Sequence, residues 1–173
     1  MKRMIIGILV VLVMAMFKEV SLGEKIIPDE AIRLRVLANS NSGYDQAVKE
    51  KVKDELQSDM YTLLQDTKSI DDARTIIKTN LNNFNASVGN VLSTQDPNTD
   101  YTIEFGSHYF PSKLYKGIKY DDGYYESLLV ELGQGNGDNW WCVLFPPLCL
   151  LEAEESTDVE YKFFVQELLD KFF

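Results

Sequence analysis

Two apolar stripes at helical spacing stand between an alternating run near the start of the chain and several alternating runs near its end. That order constrains the fold more than any other feature. Val48, Val52, Leu56, Met60 and Leu63 recur on one face of a helix expected over 44–65, with lysines and glutamates opposite. Ile70, Ala73, Ile76, Ile77, Leu81, Phe84, Val88 and Leu92 form a second stripe, which reads as one long helix. It opens at the capping box Ser69-Ile70-Asp71-Asp72, whose hydroxyl and carboxylate satisfy free amides of a first turn. Asp96-Pro97-Asn98 ends it.

Before the stripes, Ile32, Leu34 and Val36 alternate with Arg33, Arg35 and Leu37, a strand stopped by the turn-forming segment 39–43. After them, strands are expected around Tyr101, Ile103 and Phe105, over 124–132 and over 140–145, where Pro146-Pro147 stops the ladder. Gly133, Gly135 and Gly137 sit between the last two strands. They do not open a helix, so they are no dinucleotide fingerprint; they supply positive φ for a tight or bulged hairpin. A capping box at Thr157-Asp158-Val159-Glu160 starts a final helix. The expected architecture is α+β: a small, mostly antiparallel sheet with a helical hairpin and a C-terminal helix packed on one face.

Lys2 and Arg3 precede an uncharged apolar run from Met4 to Phe17, and charge returns at Lys18. The run is shorter than the roughly 20 residues of a comfortable transmembrane helix and has the form of a signal-peptide core. Ser21-Leu22-Gly23 offers small residues for cleavage, and retention as a signal anchor is the alternative. A buried helix of the fold is the rival reading, disfavoured because the run is apolar on every face. The expected organisation is a signal or anchor at 1–23, a linker at 24–30 and a single extracytoplasmic domain at 31–173.

The net charge of −10 argues against nucleic-acid binding and against adsorption to anionic lipid. Histidine occurs once, at His108, and no Gly-x-Ser-x-Gly elbow is present. Any Ser-His-Asp site must centre on His108, and Cys142 with His108 can be read as a nucleophile and its base, against the plainer reading of a histidine at a strand end. One histidine and two cysteines fall short of any zinc pattern, and the acidic turns at 121–122 and 138–139 read as solvated, so no metal or cofactor is expected.

In an exported chain, Cys142 and Cys149 suggest an intrachain disulfide worth roughly 2–3 kcal/mol, with two buried thiols as the rival. Trp140 and Trp141 offer a binding platform or core packing. On a strand their rings point to opposite faces. Arg33 and Arg35, opposite Ile32 and Leu34, are either solvated or paired to acidic neighbours.

Two segments together carry a resemblance. One runs Ile32-Arg33-Leu34-Arg35-Val36-Leu37-Ala38-Asn39-Ser40-Asn41-Ser42, with Asp45-Gln46 and Lys49 following; the other is Asn139-Trp140-Trp141-Cys142-Val143-Leu144-Phe145-Pro146-Pro147-Leu148-Cys149. They resemble the stage II sporulation protein R family of endospore-forming bacteria. The leader, Phe110-Pro111-x-Lys113-x-Tyr115 and Gly123-x-Tyr125-x-x-Leu128 stand in the expected order.

The resemblance implies a protein made in the forespore and exported into the space between forespore and mother cell. There, members of the family trigger a membrane-embedded aspartic-type protease that processes pro-sigma-E. It implies an activator, not an enzyme. On this reading the partner surface is expected to include Arg33, Arg35, Asn39, Asn41, Asp45, Trp140 and Trp141. An exported hydrolase using Cys142 and His108 and a cell-wall glycan-binding module are the alternatives.

Overall fold

The computed structural model describes residues 30–115 and 118–148, with Glu167, Leu169 and Asp170 near the C-terminus. The leader and linker, the capping box at 157–160 and Cys149 lie outside the described residues. The elements run β1 (Ile32–Leu37), α1 (Gly43–Leu64), α2 (Ile70–Thr79), α3 (Leu81–Gln95), β2 (Tyr101–Phe110), β3 (Lys113–Tyr115), β4 (Ile118–Tyr120), β5 (Gly123–Leu132) and β6 (Asn139–Phe145).

Four strands form one sheet in the order β2-β5-β1-β6, and β3 and β4 make a separate two-stranded hairpin. β2 runs antiparallel to β5 and β6 antiparallel to β1, but β1 and β5 are parallel, pairing Arg33 with Ser127 and Leu37 with Glu131. The sheet is therefore mixed, not mostly antiparallel as expected. The cause is chain order: β1 enters between two strands that follow each other in sequence, and it cannot oppose both.

For the same reason the expected β5–β6 hairpin does not form. The glycine loop instead passes over the end of β1. Gly137 donates to Ala38 O at 2.9 Å and Asn136 to Asn39 O at 3.2 Å. Gly133 and Gly135 do hold positive φ, 58° and 61°. Gly137 is needed for closeness: a Cβ there would lie 2.3 Å from Ser40 O.

Strand alternation places Ile32, Leu34 and Val36 of β1 and Leu128, Val130 and Leu132 of β5 on one face. There they meet Val52, Leu56 and Met60 of α1, Ala73 and Ile77 of α2 and Phe84 and Val88 of α3, all fully or almost fully buried. Each of these side chains larger than alanine contributes roughly 1.5–3 kcal/mol on leaving water. α1 closes its stripe with Leu64, while the expected Leu63 is only partly buried.

The second stripe is two helices. Asn80, with φ −102° and ψ 7°, ends α2 and starts α3, and its side chain donates to Ile76 O at 2.9 Å. The stripe continues across the break, which is why spacing alone did not reveal it. Ser69 caps α2 as expected, accepting from Asp72 N at 3.1 Å.

The other face of the sheet has its own smaller core of Ala31, Ile118, Tyr120, Val143, Leu148 and Leu169, with Trp141 against it. Leu169 therefore packs on the face opposite the helical layer, not on the same face as expected. The β3–β4 hairpin that helps to cover this face had no recognisable alternation in the sequence.

Candidate functional site

β1 is flanked on both sides, so the side chains opposite its apolar stripe emerge between β5 and β6. Arg33 emerges there only 1% exposed. Its guanidinium lies 3.4 Å from the Tyr125 ring centroid, 5.0 Å from Phe110 and 5.2 Å from Trp141. Phe110 and Trp141 meet edge to face at 5.6 Å, and Tyr120 and Trp141 at 5.2 Å. A planar cation among ring faces is stabilised by their quadrupoles, more so when water is excluded. The solvated reading of Arg33 is thus overturned: it is the centre of the second core.

Arg35 lies further along the same face. It donates to Tyr109 O at 2.9 Å and sits 5.6 Å from the Phe110 ring. Burial lowers its pKa, and the Glu131 carboxylate partly counters that.

Asn39, Asn41 and Asp45 fall in one knot at the far end of β1. Asn39 Oδ1 accepts from Gln134 N at 3.0 Å, and Asn41 Oδ1 accepts from Asp138 N at 2.6 Å. Asp45 accepts from the Ser40 hydroxyl and, at 3.2 Å, from Asn39 Nδ2, while its own amide donates to Ser42 Oγ at 3.0 Å. Those hydrogen bonds, the Ser40 contact foremost, hold the Asp45 carboxyl below its ordinary value. Lys49, buried on α1, joins the knot through Gln46 Oε1 at 2.7 Å. The polar atoms expected to meet a partner are largely spent bracing two loops against each other.

Trp140 and Trp141 point to opposite faces, as alternation requires. Trp140 packs against the helical core with Lys53 Nζ 5.6 Å over its ring. Both indoles are half-buried, and they do not form one platform.

Cys142 is disulfide-bonded and shares the helical face with Trp140. His108 stands on β2, at the opposite edge of the sheet and on the opposite face. Three strand spacings of about 4.8 Å separate those edges, so Cys142 and His108 form no dyad. His108 Nδ1 instead pairs with the buried Ser127 hydroxyl at 2.7 Å. Among the described residues no group of histidine, cysteine or acidic side chains could hold a metal, and no helix is long and apolar enough to cross a membrane.

What sequence reasoning missed is an exposed tyrosine edge. Tyr124 is 75% exposed and Tyr109 49%, and the two rings meet at 5.6 Å as cross-strand partners. Asp122 lies 3.4 Å from the Tyr109 hydroxyl and raises its pKa, mainly through its charge. Beside Tyr124 opens a cleft of about 380 Å³ lined by Glu30, Ile70, Asp71, Arg74, Tyr125 and Glu126 among others. Arg74 Nε bridges both Glu126 oxygens, at 2.8 and 2.9 Å, and Nη1 reaches Asp71. The available signal was parity: in Tyr109-Phe110 and Tyr124-Tyr125 the two rings of each pair had to take opposite faces, so they could not share one core.

The geometry defines a helix-backed α+β domain with an arginine-centred second core and an exposed aromatic edge beside a charged cleft. The chain belongs to the stage II sporulation protein R family, whose sequence profile matches residues 28–155. A relative in Bacillus subtilis (strain 168), named stage II sporulation protein R, is 42% identical over 135 residues, covering 78% of this chain and 60% of the relative. The chain thus spans about 60% of the length of that curated relative. No solved structure matches it.

Proposed function

We propose that this protein is an exported sporulation signal that binds and activates a membrane-embedded aspartic-type protease, so starting pro-sigma-E processing in the mother cell. Family membership over residues 28–155 is the observation that carries this reading. The leader at 1–23 would take the domain at 31–173 across the forespore membrane, and the linker at 24–30 would hold it in the space between the two cells.

The surface best suited to the partner is the Tyr109–Tyr124 edge with its adjoining cleft. Exposed, mutually packed tyrosines offer large contact area at low entropic cost, beside a cleft walled by the Arg74–Glu126–Asp71 group. This shifts the expected contact surface away from Arg33, which is buried, and from the loop knot, whose polar atoms are occupied.

The test is a strain lacking the gene, scored for pro-sigma-E processing at the stage when septation is complete. Loss of processing with normal septation supports the proposal. Normal processing in that strain overturns it, as does recovery of the chain in the forespore cytosol.

A further inference from the structure

β2 is an edge strand: among the described residues it pairs with β5 alone. Natural edges are usually blunted by brevity, bulges, prolines or lysines, because a long regular edge recruits another strand. β2 has none of these devices. It runs ten residues, its register with β5 is continuous from Tyr101 to Phe110, and it contains neither lysine nor proline. In a chain of net charge −10 it carries one carboxylate, Glu104.

We propose that β2 pairs antiparallel with β2 of a second copy, about a two-fold axis through Gly106. A two-fold axis perpendicular to the sheet keeps the helices of both copies on one side and requires one residue to face its own counterpart. Centring on Glu104 sets two carboxylates against each other. Centring on Gly106 sets Glu104 against His108 of the second copy and Ile103 against Tyr109, in both directions at once. A carboxylate facing an imidazole gains a hydrogen bond, which becomes an opposite-charge pair once the ring is protonated. An apolar–aromatic pair is likewise favoured across strands, and like charges directly opposed are disfavoured.

The present geometry is prepared for this. His108 is fixed from below by Ser127 at 2.7 Å, and its Nε2 leans over Gly106 toward Glu104 of the same strand, 3.9 Å away. The two side chains flank Gly106, where an added Cβ would make only ordinary contact with both. Glu104 is 73% exposed and free to turn outward. One strand from each copy makes a small interface, so the pairing is weak and concentration-dependent. It is measured without the protease, so its outcome is distinguishable from that of the protease reading, although Tyr109 belongs to both surfaces.

Cysteine at Gly106 fits the strand, since an added Cβ meets nothing closer than 3.5 Å. Gly106→Cys in cells producing the full chain should give a dimer with a short thiol crosslinker. Thr102→Cys should not, its counterpart lying roughly 27 Å away in that register. Adding Glu104→Lys to Gly106→Cys should lower the dimer yield several-fold, and adding His108→Glu as well should restore it. Circular dichroism of each variant checks the fold. Equal yields at positions 102 and 106, or no dimer from a folded Gly106→Cys chain, overturn the proposal. So does a Gly106→Cys chain crosslinked only to a different protein, which would give the edge to a partner's strand instead.

Discussion

Arg33 stacks on Tyr125, its guanidinium carbon 3.4 Å from the ring centroid, in a site from which water is almost wholly excluded. The two residues come from neighbouring parallel strands, so their contact depends on the β1–β5 register. Arg33→Ala should cost about 2–4 kcal/mol by opening a cavity among the rings. Arg33→Lys should cost about 1–2 kcal/mol, because an ammonium keeps the charge but loses the planar stack. Urea unfolding checks both, as a lower midpoint with an unchanged slope.

The loop knot makes a sharper distinction. Gly137→Ala would put a methyl 2.3 Å from a backbone oxygen, and Gly133→Ala would combine positive φ with a 2.2 Å approach to Asn39 Oδ1. Each should cost more than about 2 kcal/mol. Gly43→Ala, at the first position of α1 with open space around it, should be neutral or stabilise by up to about 1 kcal/mol. Thermal melts of the three variants give the ranking, which a uniform loss would contradict.

Asp45 sets a pH dependence. Its hydrogen bonds favour the ionised form, so its folded pKa lies below the unfolded value of about 3.9. The stabilisation it provides is complete above the unfolded value and is lost as pH falls through the folded one. Asp45→Asn should therefore be less stable than wild type at neutral pH, and the two stability curves should converge below about pH 4. A gap that persists unchanged at low pH would remove the carboxylate from the account.

Arg74 and Glu126 join α2 to β5 through one Nε–H shared between both carboxylate oxygens, in a pair whose side chains are both about two-thirds buried. A double-mutant cycle on Arg74→Ala and Glu126→Ala should give a coupling of about 0.5–1 kcal/mol, weakened by salt.

Tyr124→Ser removes the most exposed large apolar side chain among the described residues. It should leave the melting temperature within a few degrees of wild type and still reduce pro-sigma-E processing in a complemented deletion strain. Unchanged processing would move the partner surface elsewhere.

Helical spacing and alternation were enough to place α1, β1, β5 and β6 within a residue or two, while β2 began where expected but runs on to Phe110, beyond the alternation of Tyr101, Ile103 and Phe105. The Asn80 break was hidden since Leu81 and Phe84 continue the stripe of Ile77. The parallel β1–β5 pairing was hidden too, because alternation says which face a residue takes but not which neighbour its strand finds. The leader and the disulfide partner of Cys142 fall outside the described residues. At the candidate site, opposite faces for Trp140 and Trp141 followed from spacing alone. The burial of Arg33 did not, because a charged residue on a strand reads as solvated until the rings around it are in place.

The position of β1 bears on the timing of assembly. It is the first strand described, yet both its neighbours lie near the other end: Arg33 waits for Ser127 on one side and for Val143 on the other. No prefix of the chain that stops short of β5 can close the sheet, so the central ladder forms late and through distant encounters. A growing chain built this way cannot complete its sheet until its last strands are made, and until then no closed β-ladder stands in the way of threading it through a narrow pore.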